Sequence, residues 1–498
     1  MAFRINSIRA CAVPAFAAAM TLVIALAGIG APSFWLDEAA TISMTERSLP
    51  ELGRAVHRLD LVHLAYYLIM KPWVALFGDG ELAMRTPSAL AMAAGAAGVV
   101  ALGRRCGSDT TGLVAGICYA SSVTVTRYAQ EARPFAMVTA ATVLATYLLV
   151  RALQEPETDG RQRAWLAGYG VAVVLVGLLN VFGLLLLAAH VITLLWTRAG
   201  SGFLRRWLVA TAAAVLVLAP FVVLSQTQKA QIASLQRPTS AMIWSLVRFM
   251  AGGERLILLL TALIVVAAIA GRVRPPQVPG LSELALPWLL FPPVFLLSAS
   301  LLHPMFRTRY VLFCVPALAL LVGAGLVALG RLWRPLTAVA LAGVLAFTIP
   351  GQLEIRRQDE RIDDLRAAAD IVRDRAMPGD GVLFLARHQR WRTSAYADAY
   401  QGLTDLMMRK TPARAANLDG EDVTPAVLAT RLCAVGRVWL MDGGGARRPP
   451  WVRNRENLVR SMGLTETLGV WHYKGGSIKL VARSGSVGAN GCGREPAA

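Results

Sequence analysis

Long apolar runs recur from Met1 to Gln352 and then stop. A run of about 20 apolar residues spans a hydrocarbon layer of about 30 Å as a helix, and few soluble folds can absorb so many of them. Composition agrees: 55% of the 498 residues are hydrophobic and only 16% charged, against roughly a quarter charged in soluble proteins. A wholly soluble enzyme, a disordered chain and a disulfide scaffold are therefore excluded. The chain reads as a polytopic α-helical membrane protein over residues 1–352, followed by an α/β domain over residues 353–498.

Apolar segments place about eleven spans, at 11–31, 86–103, 110–126, 134–153, 164–179, 182–197, 208–225, 256–271, 285–302, 310–329 and 336–352. The stretch from Trp165 to Trp196 is too long for one helix and is read as a hairpin around Asn180 to Gly183, with His190 hydrogen-bonded inside the bundle. With the N-terminus inside, every inner loop carries at least two arginines, which sets the orientation. An odd number of spans then puts the C-terminal domain on the extracytoplasmic side of a cell (plasma) membrane. The net charge of +19 is spread over loops and the C-terminal domain. No basic run with interleaved aromatics is present, so a nucleic-acid partner is excluded and the bilayer is the expected one.

In the C-terminal domain, Ile362, Leu365, Ala369 and Val372 form a helical stripe before a strand at Gly381 to Ala386. A second helix–strand unit covers Pro425 to Cys433 and Arg437 to Met441. A helix near Asn457 to Met462 precedes a hairpin of Glu466 to Tyr473 and Ser477 to Arg483. Cys433 and Cys492 are the two cysteines of this domain, and an oxidising compartment would let them pair. Cys11, Cys106, Cys118 and Cys314 read as small apolar residues.

The chemistry concentrates in outer segments. The loop 32–85 opens with Phe34-Trp35-Leu36-Asp37-Glu38, where two adjacent carboxylates stand among bulky apolar neighbours. Such a pair is costly to place, and it suits a general base. Farther along the loop come Asp60, His63, Tyr66, Tyr67 and Arg85, with His63 and Tyr67 on one helix face. The segment Arg127-Tyr128-Ala129-Gln130-Glu131-Ala132-Arg133-Pro134 closes a second outer end, and Arg307, Arg309 and Tyr310 a third. An acidic loop with three basic clusters makes a site for an anionic lipid headgroup. No Cys/His cluster has structural-zinc spacing. No motif demands a cofactor or a metal, although a divalent cation could bridge Asp37 or Glu38 to a phosphate.

FWLDEAAT, LDLVHLAYYLIMKPW, LFGDGELAMRTPSAL, RYAQEARPFAM and HPMFRTRYVLFCVPAL, in this order, resemble the membrane glycosyltransferases of the GT-C class. The resemblance is to the protein O-mannosyltransferase and aminoarabinose-transferase-like superfamily, in its actinobacterial branch. It covers roughly the first 350 residues. The resemblance implies an inverting transfer of a sugar from a polyprenyl-phosphate-linked donor to a hydroxyl of a glycan, lipid or protein acceptor at the outer face. Asp37 would be the general base and Glu38 would orient the acceptor. Arg85, Arg133, Arg307 and Arg309 would stabilise the departing phosphate. Asp60, His63, Tyr66, Tyr67, Gln130, Glu131 and Tyr310 would line the substrate site. Two departures bear on which sugar is used: no proline follows His63, and Phe135 stands where tyrosine is frequent. A transporter or flippase of a lipid-linked sugar and a non-catalytic membrane scaffold are the competing readings.

Overall fold

A computed structural model of the chain describes residues 2–156, 160–228, 235–272, 279–443 and 449–484. It divides into two compact units. The first comprises Met1–Ile29, Leu61–Ile69 and Leu82–Arg356, and the second Gly30–Asp60, Met70–Glu81 and Arg357–Ala498. The last segment of the second unit starts at Arg357. Segments 30–60 and 70–81 of the first long loop join the C-terminal unit.

The first unit is helical. Among the described residues, seven helices are long and apolar enough to cross a membrane, and the pair Ser240–Ala251 and Glu254–Ile269, bent by 75°, makes an eighth if counted as one span. Shorter apolar helices cover Cys11–Leu26, Leu61–Phe77 and Val181–Trp196. The hairpin near Asn180 forms as the sequence implies, with Asn180 Oδ1 accepting from Phe182 N at 2.9 Å. His190 sits between Thr146 Oγ1 and Tyr169 OH, each at 3.1 Å.

The expected span 110–126 is instead two helices, Asp109–Ser121 and Val123–Ala129, broken at Ser122. Hydroxyls in this stretch compete for the helix carbonyls, with Ser121 Oγ donating to Cys118 O and Thr126 Oγ1 to Ser122 O. The carbonyl of Ser121, left over at the break, accepts from Gln352 Nε2 at 2.9 Å. Residues 130–134 then turn the chain into helix Phe135–Gln154, which follows Pro134.

The second unit holds a five-stranded sheet in the order β2-β1-β5-β7-β6. Its strands are β1 (Gly381–Phe384), β2 (Thr404–Asp405), β5 (Arg437–Asp442), β6 (Leu464–Tyr473) and β7 (Gly476–Arg483). Strands β3 (Met408–Lys410) and β4 (Glu421–Asp422) form a separate antiparallel pair. β1 runs parallel to β2 and β5, and β7 runs antiparallel to β5 and β6. Alternation along the strands separates two cores. Leu383, Val438, Leu440 and Val481 pack with Leu428, Leu432, Val452 and Val459 of the helices Pro425–Cys433 and Pro450–Ser461. Val382, Phe384, Trp439 and Ile478 meet Ala368 and Val372 of helix Leu365–Arg373 on the other face. That helix starts after Ile362, which is 66% exposed rather than part of the stripe, because Asp364 caps it by accepting from Ala367 N. Cys433 ends the helix Pro425–Cys433; its expected partner Cys492 lies outside the described residues.

Candidate active site

The carboxylate pair belongs to the second unit. Helix Leu36–Thr45 begins with Asp37 and Glu38 in its first turn, where the helix dipole favours negative charge. Glu38 is fully buried and Asp37 half-buried. The helix entrance is held by side chains far along the chain. Tyr396 OH accepts from Phe34 N at 3.1 Å and donates to Glu81 Oε1 at 2.7 Å. Arg366 donates to the carbonyls of Gly30 and Ala31 at 2.9 and 3.1 Å and pairs with Glu81 at 2.6 Å. Asp363 Oδ2 accepts from Leu36 N at 3.4 Å. At the other end, Lys71 Nζ donates to Thr45 O, and Arg47 Nη2 reaches Asn417 O at 2.6 Å. The acidic turn is thus positioned by Tyr396, Arg366, Asp363 and Glu81, none of which the sequence singled out. No local pattern marks them, since each acts across hundreds of residues.

This clip is testable. Burial pushes the Tyr396 hydroxyl up to about 12 from its ordinary value of 10, so folding favours the neutral phenol. Its contribution is complete below pH 10 and is lost as pH rises from 10 through about 12. Tyr396→Phe removes every hydrogen bond of this hydroxyl and is expected to destabilise the protein by roughly 1–3 kcal/mol at pH 8. The wild-type advantage in melting temperature should shrink when the comparison is repeated above pH 10. Equal melting temperatures at pH 8 would remove the clip from the account.

The first unit gathers most of the basic and aromatic candidates. His63 closes a short 3₁₀ turn, Leu61–His63, and Tyr66 and Tyr67 follow on helix Leu64–Phe77, both fully buried. Arg133 Nη2 lies 3.1 Å from His63 Nε2. A guanidinium only donates, so Nε2 accepts and the imidazole is neutral with its proton on Nδ1. The His63 and Tyr67 rings lie 6.1 Å apart, and Tyr66 and Tyr67 6.2 Å apart. Two residues beyond Arg133, Phe135 receives the Arg309 guanidinium over its ring at 5.5 Å and meets Tyr310 at 6.3 Å. Tyr310 in turn stacks on Phe182 at 4.9 Å. Arg133, Arg309, Tyr310 and His63 are therefore brought into one neighbourhood built around Phe135. Phe135 appeared in the sequence only as a departure from the expected tyrosine, and Phe182 carried no signal there.

The remaining candidates lie within their own units. Arg85 is fully buried, with Nη1 donating to Ile29 O at 2.8 Å. Gln130, also buried, donates from Nε2 to Ala25 O and Ala27 O. The Glu131 carbonyl accepts from Ser88 Oγ at 2.7 Å and ties the 130–134 turn to helix Glu81–Cys106. Arg307 is exposed at the start of the 3₁₀ segment Thr308–Cys314. Asp60 belongs to the second unit and adopts a left-handed backbone, φ 58°, that short polar side chains tolerate. Among the described residues no three His, Cys, Asp or Glu side chains are grouped to hold a metal ion.

Residues 64–225 match the family model of dolichyl-phosphate-mannose-protein mannosyltransferases. No curated protein matches the chain. Among solved structures, ArnT from Cupriavidus metallidurans in its apo state matches with a TM-score of 0.64 at 13% identity, over 96% of this chain and 98% of that one. The same protein bound to undecaprenyl phosphate matches at 14% identity, with a TM-score of 0.64 over 95% and 98% of the two chains. The arabinofuranosyltransferase AftD from Mycobacteria matches with a TM-score of 0.51 at 16% identity, over 94% of this chain and 39% of that one. Residues 64–225 are thus similar to that mannosyltransferase family, and nearly the whole chain shares the fold of ArnT.

Proposed function

We propose that the protein is an inverting glycosyltransferase that moves a hexosyl or pentosyl group from a polyprenyl-phosphate carrier to an acceptor hydroxyl. The observation that carries the reading is the neighbourhood of buried Arg133, with half-buried His63 on it, and half-buried Arg309 over the Phe135 ring, in a fold shared with a protein solved with undecaprenyl phosphate. Guanidinium groups held rigidly in a low-dielectric setting bind a phosphate bidentately and gain strength as its charge grows.

In this mechanism Asp37 takes the proton of the acceptor hydroxyl as the new glycosidic bond forms, and Glu38 orients the acceptor. The bond from the anomeric carbon to the phosphate oxygen breaks, and the arginines take up the charge on the leaving polyprenyl phosphate. Such a leaving group needs little protonation, so no general acid is assigned. Arg85 acts with Arg133, Arg307 and Arg309 on the phosphate; Asp60, Tyr66, Tyr67, Gln130, Glu131 and Tyr310 line the sugar and acceptor sites. The reaction is placed on the extracytoplasmic face of the plasma membrane, with a glycan, lipid or protein as acceptor. A divalent cation bridging Asp37 or Glu38 to the phosphate is compatible with this chemistry, and chelation of the assay mixture decides whether one takes part.

The test incubates membranes carrying the protein with a radiolabelled polyprenyl-phosphate sugar. Label appearing in a product other than the carrier supports transfer. Movement of the labelled carrier across sealed vesicles with no product would replace the reading with a flippase.

A further inference from the structure

A second cluster of positive charge stands in the second unit. A cavity of about 360 Å³ is lined by Arg54, His57, Arg58, Lys410, Arg414 and Glu421. One wall is helix Leu49–Val56 with the turn after it, and the other is β3, β4 and the residues between them. Arg58 Nη1 donates to Ala415 O at 3.3 Å and joins the two walls. The single carboxylate of the lining, Glu421, is shared by Arg409 and by Lys410 at 3.3 Å. Glu51, three residues before Arg54, is engaged in the capping box with Ser48, which holds its carboxyl below the usual range. Among the described residues, no carboxylate lies within ion-pair distance of Arg54, Arg58 or Arg414.

Three arginines and a lysine facing one space repel each other, and one shared carboxylate does not offset that repulsion. An incoming oxyanion would, and guanidinium forks pair with a phosphate bidentately. The cavity is larger than a phosphate alone requires and is at the small end of ligand sites, about 300–1,000 Å³. That size suits one sugar ring with a phosphate attached. We infer that this pocket binds a phosphorylated saccharide and anchors the acceptor, so that the acceptor of the transfer is an anionic glycan. The saccharide part rests on the glycosyltransferase reading; the anion site does not.

Binding is measured on the full-length protein in detergent, without donor, by calorimetric titration. The probes are glucose 1-phosphate, inorganic phosphate, glucose and phosphatidylglycerol vesicles. Glucose 1-phosphate should bind about tenfold or more tighter than inorganic phosphate, a difference of about 1.4 kcal/mol, and glucose should not bind. Arg54→Gln with Arg414→Gln should weaken the sugar phosphate about tenfold or more, while Arg54→Lys, which keeps the charge, should weaken it less. Binding that survives the double glutamine variant overturns the pocket assignment. Equal affinity for inorganic phosphate, or a preference for the vesicles, overturns the saccharide. The glycosyltransferase reading fails separately, in the transfer assay with the labelled donor.

Discussion

Replacing Asp37 by Asn should lower sugar transfer by about 10²–10⁴-fold, the range that a positioned general base contributes. Asn is nearly isosteric and keeps the oxygen and the helix-start position, but it does not accept a proton from a hydroxyl at neutral pH. Asp37 lies in the first turn of helix Leu36–Thr45, half-buried, and Thr41 Oγ1 meets its backbone carbonyl rather than its carboxylate. The substitution therefore leaves that contact intact. Loss should appear in kcat, with carrier binding and melting temperature near those of the wild type. Glu38 is fully buried in the same turn, so Glu38→Gln is the natural comparison. A drop confined to Asp37→Asn assigns the proton to that group, whereas undiminished transfer by Asp37→Asn would remove the base from the mechanism.

What sequence could reveal followed the range of the interaction involved. Strand alternation is local, and β1, β5, β6 and β7 form where the pattern placed them, with Gly475 at φ 103° in the tight turn of the hairpin. The apolar runs likewise located the helical unit. Hydropathy could not see the break at Ser122, because what makes it tolerable is a carbonyl satisfied by Gln352 from a distant helix. The same holds for the acidic turn. Its two carboxylates stand out in the sequence, yet the groups that hold its entrance, Tyr396 and Arg366, lie in the C-terminal half and bond backbone atoms of residues 30–34 as well as Glu81. Backbone acceptors leave no trace in a motif. Phe135 shows the converse case: an apparent departure from pattern becomes the ring under Arg309 once helix Phe135–Gln154 and segment Thr308–Cys314 meet.

Arg133→Gln should cost about 10²–10³-fold in kcat, the range seen when one donor to a developing oxyanion is removed. Arg133 is buried and its Nη2 already meets neutral His63, so its orientation is set before substrate arrives. Glutamine shortens the side chain and removes the charge, leaving the phosphate with fewer donors as it departs. Arg133→Lys separates the two contributions. A lysine keeps the charge but has no planar fork, so it should recover part of kcat and fail to restore the His63 contact. An effect confined to KM would mean that Arg133 binds the carrier equally in ground and transition states and does not stabilise the leaving phosphate. In that outcome Arg309, spread over the Phe135 ring, becomes the arginine to which the leaving-group role passes.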